Sequence, residues 1–185
     1  MSSESGIEER LRDVLAFLDG HVKFAEAKNT ALLTANVAAV LASLTVLTSN
    51  DPHSDYLVWY LRELVACCVA SGSLSLLSFL PRTEIPWLRR KGKPDAADDD
   101  LLFFGHVKAY QPDAYLKAVS AALGDSSASR NRWHELYARQ IIINARIAQQ
   151  KFTYFRYAIW LTLAGCVTIP LATVVYFVFH DRDDF

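Results

Sequence analysis

The side chains best suited to chemistry lie between positions 139 and 151. Arg139, Gln140 and Asn144 offer donors and acceptors one helical turn apart, and Arg146 and Lys151 follow. Lys28 ends an earlier amphipathic stretch, and Lys151 with Arg156 occupies the equivalent place in a later one. A basic residue in such a position can neutralise a ligand phosphate. It can equally anchor a helix end at a bilayer surface and set its orientation. Phe103, Phe104 and Tyr110 can stack a planar ring or serve as core, and Gly105 beside them permits a turn or a close backbone approach. Asn144 interrupts an apolar stripe. It is either a polar register-setting residue of a helical bundle or a group that recognises a ligand.

No catalytic set stands out. His134-Glu135 lacks the second His of a zinc-protease helix, because Ala138 stands there. The seven glycines are scattered and form no phosphate loop. The three cysteines, Cys67, Cys68 and Cys166, sit in apolar runs without metal-ligand spacing and read as packing residues. The chain therefore reads as a non-enzyme with no metal and no cofactor. A net charge of −1 gives no case for nucleic-acid binding.

The elements that position these residues are helical. Trp133, Leu136, Tyr137, Ile141, Asn144, Ile147, Ala148 and Phe152 recur at three- and four-residue steps, so they predict one apolar face. From Tyr157 to Phe179 there is no charge at all. That run of about 23 residues is roughly 34 Å long as a helix, enough to cross a hydrocarbon core of about 30 Å. No turn signal separates the halves. Residues 1–6 are polar and predict a frayed end, and no signal peptide is expected. Ile7, Leu11, Val14, Leu15, Leu18, Val22 and Ala25 predict an amphipathic helix from Glu8 to Lys28. The charge-free stretch Asn29–Asn50 predicts a first span, and Tyr56–Leu80 a second, with Arg62 and Glu63 near the outer interface. Residues 81–100 form a loop with the basic run Arg89-Arg90-Lys91 and the acidic run Asp98-Asp99-Asp100. A short helix follows at Asp113–Leu123, with Pro112 in its first turn, and then a turn at Gly124–Ser129.

The mean hydropathy of +0.13 hides this organisation, because the apolar residues are concentrated in blocks. Lys and Arg are concentrated between the second and third spans and absent between the first and second. This predicts a cytoplasmic N-terminus and an exterior C-terminus. The predicted fold is an all-α membrane protein, one domain over 1–185. Its spans lie at about 30–49, 57–80 and 157–179, and its cytoplasmic parts are 1–28 and 81–156. Extensions of the first and third spans and the middle segment form a cytoplasmic helical bundle.

Four stretches also carry a resemblance. Phe24-Ala25-Glu26-Ala27-Lys28-Asn29 leads into a span, and a second span closes on Phe79-Leu80-Pro81. Leu102-Phe103-Phe104-Gly105 follows, and Gln140, Ile141, Asn144, Ile147 and Lys151 precede a last span. Their order and spacing, over residues 8–178, resemble the Pycsar transmembrane effector family of bacterial antiphage defence. The resemblance implies a multi-pass inner-membrane protein that responds to cyclic CMP or cyclic UMP made by a partner pyrimidine cyclase on infection. It would then impair the membrane and stop growth of the infected cell. No family motif identifies ligand contacts. Lys28, Phe104, Arg139, Gln140, Asn144, Arg146 and Lys151 are nominated from their chemistry, with Arg139, Arg146 and Lys151 for the phosphate. Three helices of this polarity do not line a pore alone, so membrane damage implies a homo-oligomer. The alternative is a non-enzymatic membrane scaffold whose helical bundle docks a partner protein.

Overall fold

The computed structural model describes residues 2–80, 99–124 and 131–180. Among these the elements are α1 (Ser2–Leu47), α2 (Asp55–Leu77), α3 (Phe104–Val107), α4 (Pro112–Ala122) and α5 (Arg132–His180). The predicted loop with its basic run, and most of the turn before Arg130, lie outside the described residues. The chain divides into two compact units. One comprises residues 1–26 and 81–152, the other residues 27–80 and 153–185. Both α1 and α5 contribute residues to each unit.

The first unit has an apolar core. Ile7, Leu11 and Leu18 of α1 pack with Val107, Tyr110, Tyr115 and Leu116, and with Ala138, Ile141, Ile142 and Ala145 of α5. The heptad-like spacing of the α1 residues produces this stripe, as the sequence predicts. On α5 the buried face overlaps the predicted one at Ile141 and Ala148 but is partly turned from it. Trp133 and Leu136 are exposed, whereas His134, Ala138, Ile142 and Ala145 are buried. The physical reason is size. Ala138 and Ala145 join Tyr110 and Tyr115 in the core, where a small side chain leaves room for a bulky one, and pattern reading underweights alanine. The first helix also starts earlier than predicted, at Ser2. No proline separates Ser2 from the stripe, and helix once nucleated propagates at little cost.

Local hydrogen bonds place α3 and α4. The Asp100 carboxylate accepts from the Leu102 amide at 2.8 Å. The hydroxyls of Tyr110 and Tyr115 donate to Asp99 and to the Leu101 carbonyl, each at 3.0 Å. A Cβ at Gly105 would meet the Phe103 ring, so a side chain there would displace that ring from its present place. Pro112 opens α4 and Gly124, at φ 70°, ends it in the left-handed conformation.

In the second unit, α2 is capped by Ser54, whose side chain accepts from the Leu57 amide, and Asp55 follows in the first turn. His53 ties the preceding turn to the Val46 carbonyl at 2.9 Å. Among the described residues, α1 and α2 are long and apolar enough to cross a membrane. Only 17% of the most apolar stretch of α1 and 28% of that of α2 are buried within the chain. Core helices of a water-soluble protein bury their apolar side chains, so these exposed faces fit lipid. Trp59, Tyr56, Tyr157 and Trp160 are exposed as well, near the starts of the apolar parts of α2 and α5. Amphipathic rings of this kind concentrate at bilayer interfaces. Of the cysteines, Cys68 is buried, Cys67 half-buried and Cys166 exposed, and all are free.

Candidate functional site

An open groove of about 350 Å³ lies on the first unit, lined by Arg12, Leu15, Ala16 and Asp19 of α1 and by Gln140 and Asn144 of α5. Small-molecule sites run from about 300 Å³ upward. The lining residues follow from helix geometry. Arg12, Leu15, Ala16 and Asp19 are spaced at three, four and seven, so they share one strip beside the buried stripe of Leu11 and Leu18. Gln140 and Asn144 are one turn apart on α5. The Gln140 amide nitrogen donates to the Asn144 carbonyl oxygen at 3.2 Å.

Arg12 is held at the groove by two partners. Its Nε donates to the Tyr137 hydroxyl at 3.1 Å, and its terminal nitrogen pairs with Glu8. The bond to Tyr137 leads the effects that raise the guanidinium pKa, and an arginine side chain is charged in any case. Asp19 pairs with Lys23 at 2.7 Å, and that carboxylate holds the ammonium above its ordinary range. The groove thus combines a cation, a carboxylate, two amides and an apolar strip. It can bind a small polar anion with a hydrogen-bonding edge. Among the described residues no group of His, Cys, Asp and Glu is placed to hold a metal ion.

The structure brings Gln140 and Asn144 together and separates the other nominated residues. Arg139 pairs with Glu135 on its own helix at 3.2 Å. Arg146 donates to the Lys108 carbonyl at 3.2 Å. The Lys151 ammonium meets Glu26 at 3.0 Å, with a Lys151 side chain that is only 11% exposed. Phe104 stacks on Phe152, centroids 5.3 Å apart and planes nearly parallel, and also meets Phe103 and His21. Lys28 belongs to the other unit, where its ammonium lies 5.5 Å from the Phe155 ring centre. Tyr110 is core. Sequence reasoning missed Arg12 and Asp19. Their seven-residue spacing puts them on one strip, but it does not mark them among the other charges of α1.

The model of the Pycsar effector protein domain matches residues 10–179. The chain belongs to the Pycsar effector family. It is 32% identical over 154 residues to the Pycsar effector protein RsPycTM of a Rhizobium species, covering 80% of this chain and 85% of the relative. It is 27% identical over 160 residues to the Pycsar effector protein PtPycTM of Propioniciclava tarda, covering 84% of this chain and 73% of the relative. No solved structure matches the chain. The family match takes in every residue that lines the groove.

Proposed function

We propose that this effector is a bacterial inner-membrane protein of antiphage defence. It is switched on by a cyclic pyrimidine nucleotide, cyclic CMP or cyclic UMP, supplied by a partner cyclase. It then rearranges or oligomerises and impairs the membrane, ending growth of the infected cell. The observation that carries this reading is the family match over residues 10–179. The exposed apolar faces of α1 and α2 support a lipid setting. The charge-free run from Tyr157 within α5 supplies a third span, with the N-terminus cytoplasmic and the C-terminus outside.

In this reading the nucleotide occupies the groove of the first unit. Arg12 faces the single phosphate charge, and Gln140 and Asn144 read the base or ribose. Arg139, Arg146 and Lys151 are secondary candidates, because none of them lines the groove. Binding reaches the bilayer along α5, which is helical from Arg132 to His180 and so runs from the groove residues into the apolar run. The ligand must prefer one arrangement, since equal affinity for two states shifts neither.

The test is dye release from phosphatidylethanolamine–phosphatidylglycerol vesicles carrying the full chain, titrated with cyclic CMP and cyclic UMP. Release with one of them is expected. Specific nucleotide binding without release would refute membrane damage and leave a scaffold, and no binding of either would refute the ligand class.

A further inference from the structure

The second unit contains a hydrogen-bonded ring that plays no part in nucleotide binding as proposed above. Asn36 of α1, Ser71 of α2, and Ala158 and Thr162 of α5 meet at one level. Asn36 Nδ2 donates to Ser71 Oγ at 2.8 Å, and Ser71 Oγ donates to the Ala158 carbonyl at 2.7 Å. Thr162 Oγ1 donates to Asn36 Oδ1 at 2.9 Å and lies equally close to Ser71 Oγ. In this assignment each hydroxyl proton is used once and each helix is tied to both others. Asn36 and Ser71 are fully or almost fully buried. Where lipid surrounds the helices there is no water to replace a lost partner.

One turn further along α2 sits Ser75. It is also fully buried, and its hydroxyl has no hydrogen-bond partner among the described residues. Gly72 lies between the two serines and is buried too, so the α2 surface that faces its neighbours stays small along this turn. Ser71 and Ser75 are four residues apart and share a face. A displacement of α2 by four residues, about 6 Å along its axis with a rotation of about 40°, would carry Ser75 to the place that Ser71 now holds.

We propose that the Asn36–Ser71–Thr162 ring is a two-position latch, with Ser71 seated in the resting effector and Ser75 seated after activation. The proposal rests on the membrane-effector reading for its biological meaning and on the ring geometry for its mechanism. The latch gives the helices two discrete registers instead of a continuous slide, because a half-turn displacement leaves the buried Asn36 amide with no serine opposite it. It also predicts opposite signs for two neighbouring serines. Ser71→Ala weakens only the resting register. Ser75→Ala weakens only the activated one and removes an unpartnered hydroxyl from the resting one.

The experiment is dye release from the same vesicles, with and without cyclic CMP or cyclic UMP, for full-length wild type and four variants. Ser71→Ala should lower the nucleotide concentration for half-maximal release about threefold, the worth of one interhelical hydrogen bond in a membrane protein. Ser75→Ala should raise it by a similar factor or more. Thr162→Val removes a bond that both registers share, so it should shift the half-maximal concentration less than either serine variant, and Thr162→Ser, which keeps the hydroxyl, should behave as wild type and so guard against simple misfolding. Shifts of the same sign for Ser71→Ala and Ser75→Ala, or no shift in either, overturn the latch. Wild type that never responds to nucleotide overturns the effector reading. The latch is then judged on ligand-free release: it stands if Ser71→Ala leaks more than Ser75→Ala, and falls if the two are equal or reversed.

Discussion

Asn144 decides between two accounts of the α5 helix, and its truncation separates them quantitatively. Asn144 is half-buried, lines the groove and makes one described hydrogen bond, to Gln140 at 3.2 Å on an exposed part of the helix. A pair of this type, one turn apart, stabilises a helix by about 0.2–0.5 kcal/mol. Asn144→Ala should therefore lower the melting temperature by less than about 2 °C for a chain of this size. Its effect on the ligand is larger. An amide that makes two bonds to a base or ribose contributes about 1 kcal/mol for each, so the loss is about 2 kcal/mol, or roughly thirtyfold in Kd. The assay is calorimetric titration of cyclic CMP and cyclic UMP into the full chain in detergent, beside thermal unfolding of the same samples. A Gln140→Leu variant and the double variant close a cycle, and coupling between the two is expected because the amides touch. Unchanged nucleotide affinity with a melting temperature several degrees lower would refute the recognition role. Asn144 would then be a register-setting residue.

Three further outcomes are expected. Glu26→Gln should destabilise the first unit by about 1–2 kcal/mol in chemical denaturation, because Lys151 is largely buried beside Glu26. Lys151→Met should cost less, since Glu26 is itself 44% exposed and returns to water. The Tyr115 phenol is buried, and burial, with a smaller contribution from Tyr110, pushes its pKa well above the ordinary value. The unfolded chain releases this proton from about pH 10 upward while the folded chain retains it. Stability should therefore be full below about pH 10 and fall as pH rises above it, and Tyr115→Phe should flatten that slope in a pH-resolved denaturation series. Reporter fusions after Lys28 and after Phe185 should report opposite sides of the membrane, and the same side for both would rule out an odd number of spans.

Much of the organisation is legible in the residues because two different periodicities are written along one helix. The change from amphipathic to charge-free falls at Lys28 and at Tyr157, and the boundaries between the two units fall after Glu26 and after Phe152, within about one turn of those points. The α1 stripe is legible for the same reason: Ile7, Leu11 and Leu18 are large and evenly spaced, and all are buried. The α5 stripe is legible only in part: Ile141 and Ala148 are buried as the spacing predicts, but Ala138 and Ala145, which carry little hydrophobic weight in a pattern, are buried too and lie outside the predicted stripe. Large Trp133 and Leu136 draw the predicted face toward themselves and are exposed.

The groove is half legible, and the missing half shows what one-helix reading loses. Gln140 and Asn144 stand out because amides interrupt an apolar run. Arg12 and Asp19 sit among other charged residues on α1, where nothing local marks them. Only pairing of α1 with α5 selects them, through the Arg12–Tyr137 bond between residues 125 positions apart. The basic residues nominated for a phosphate fail to converge for a related reason. A helix distributes positions 139, 146 and 151 around its surface, and each charge finds the nearest acceptor: Glu135, the Lys108 carbonyl and Glu26. Arg12 also has partners, yet its exposed guanidinium lines the groove, whereas Lys151 would have to leave a largely buried ion pair to reach a ligand. Desolvation already spent on that pair makes exchange for a phosphate the costlier choice. In the proposed binding mode the anion therefore sits beside Arg12, the cation that lines the groove.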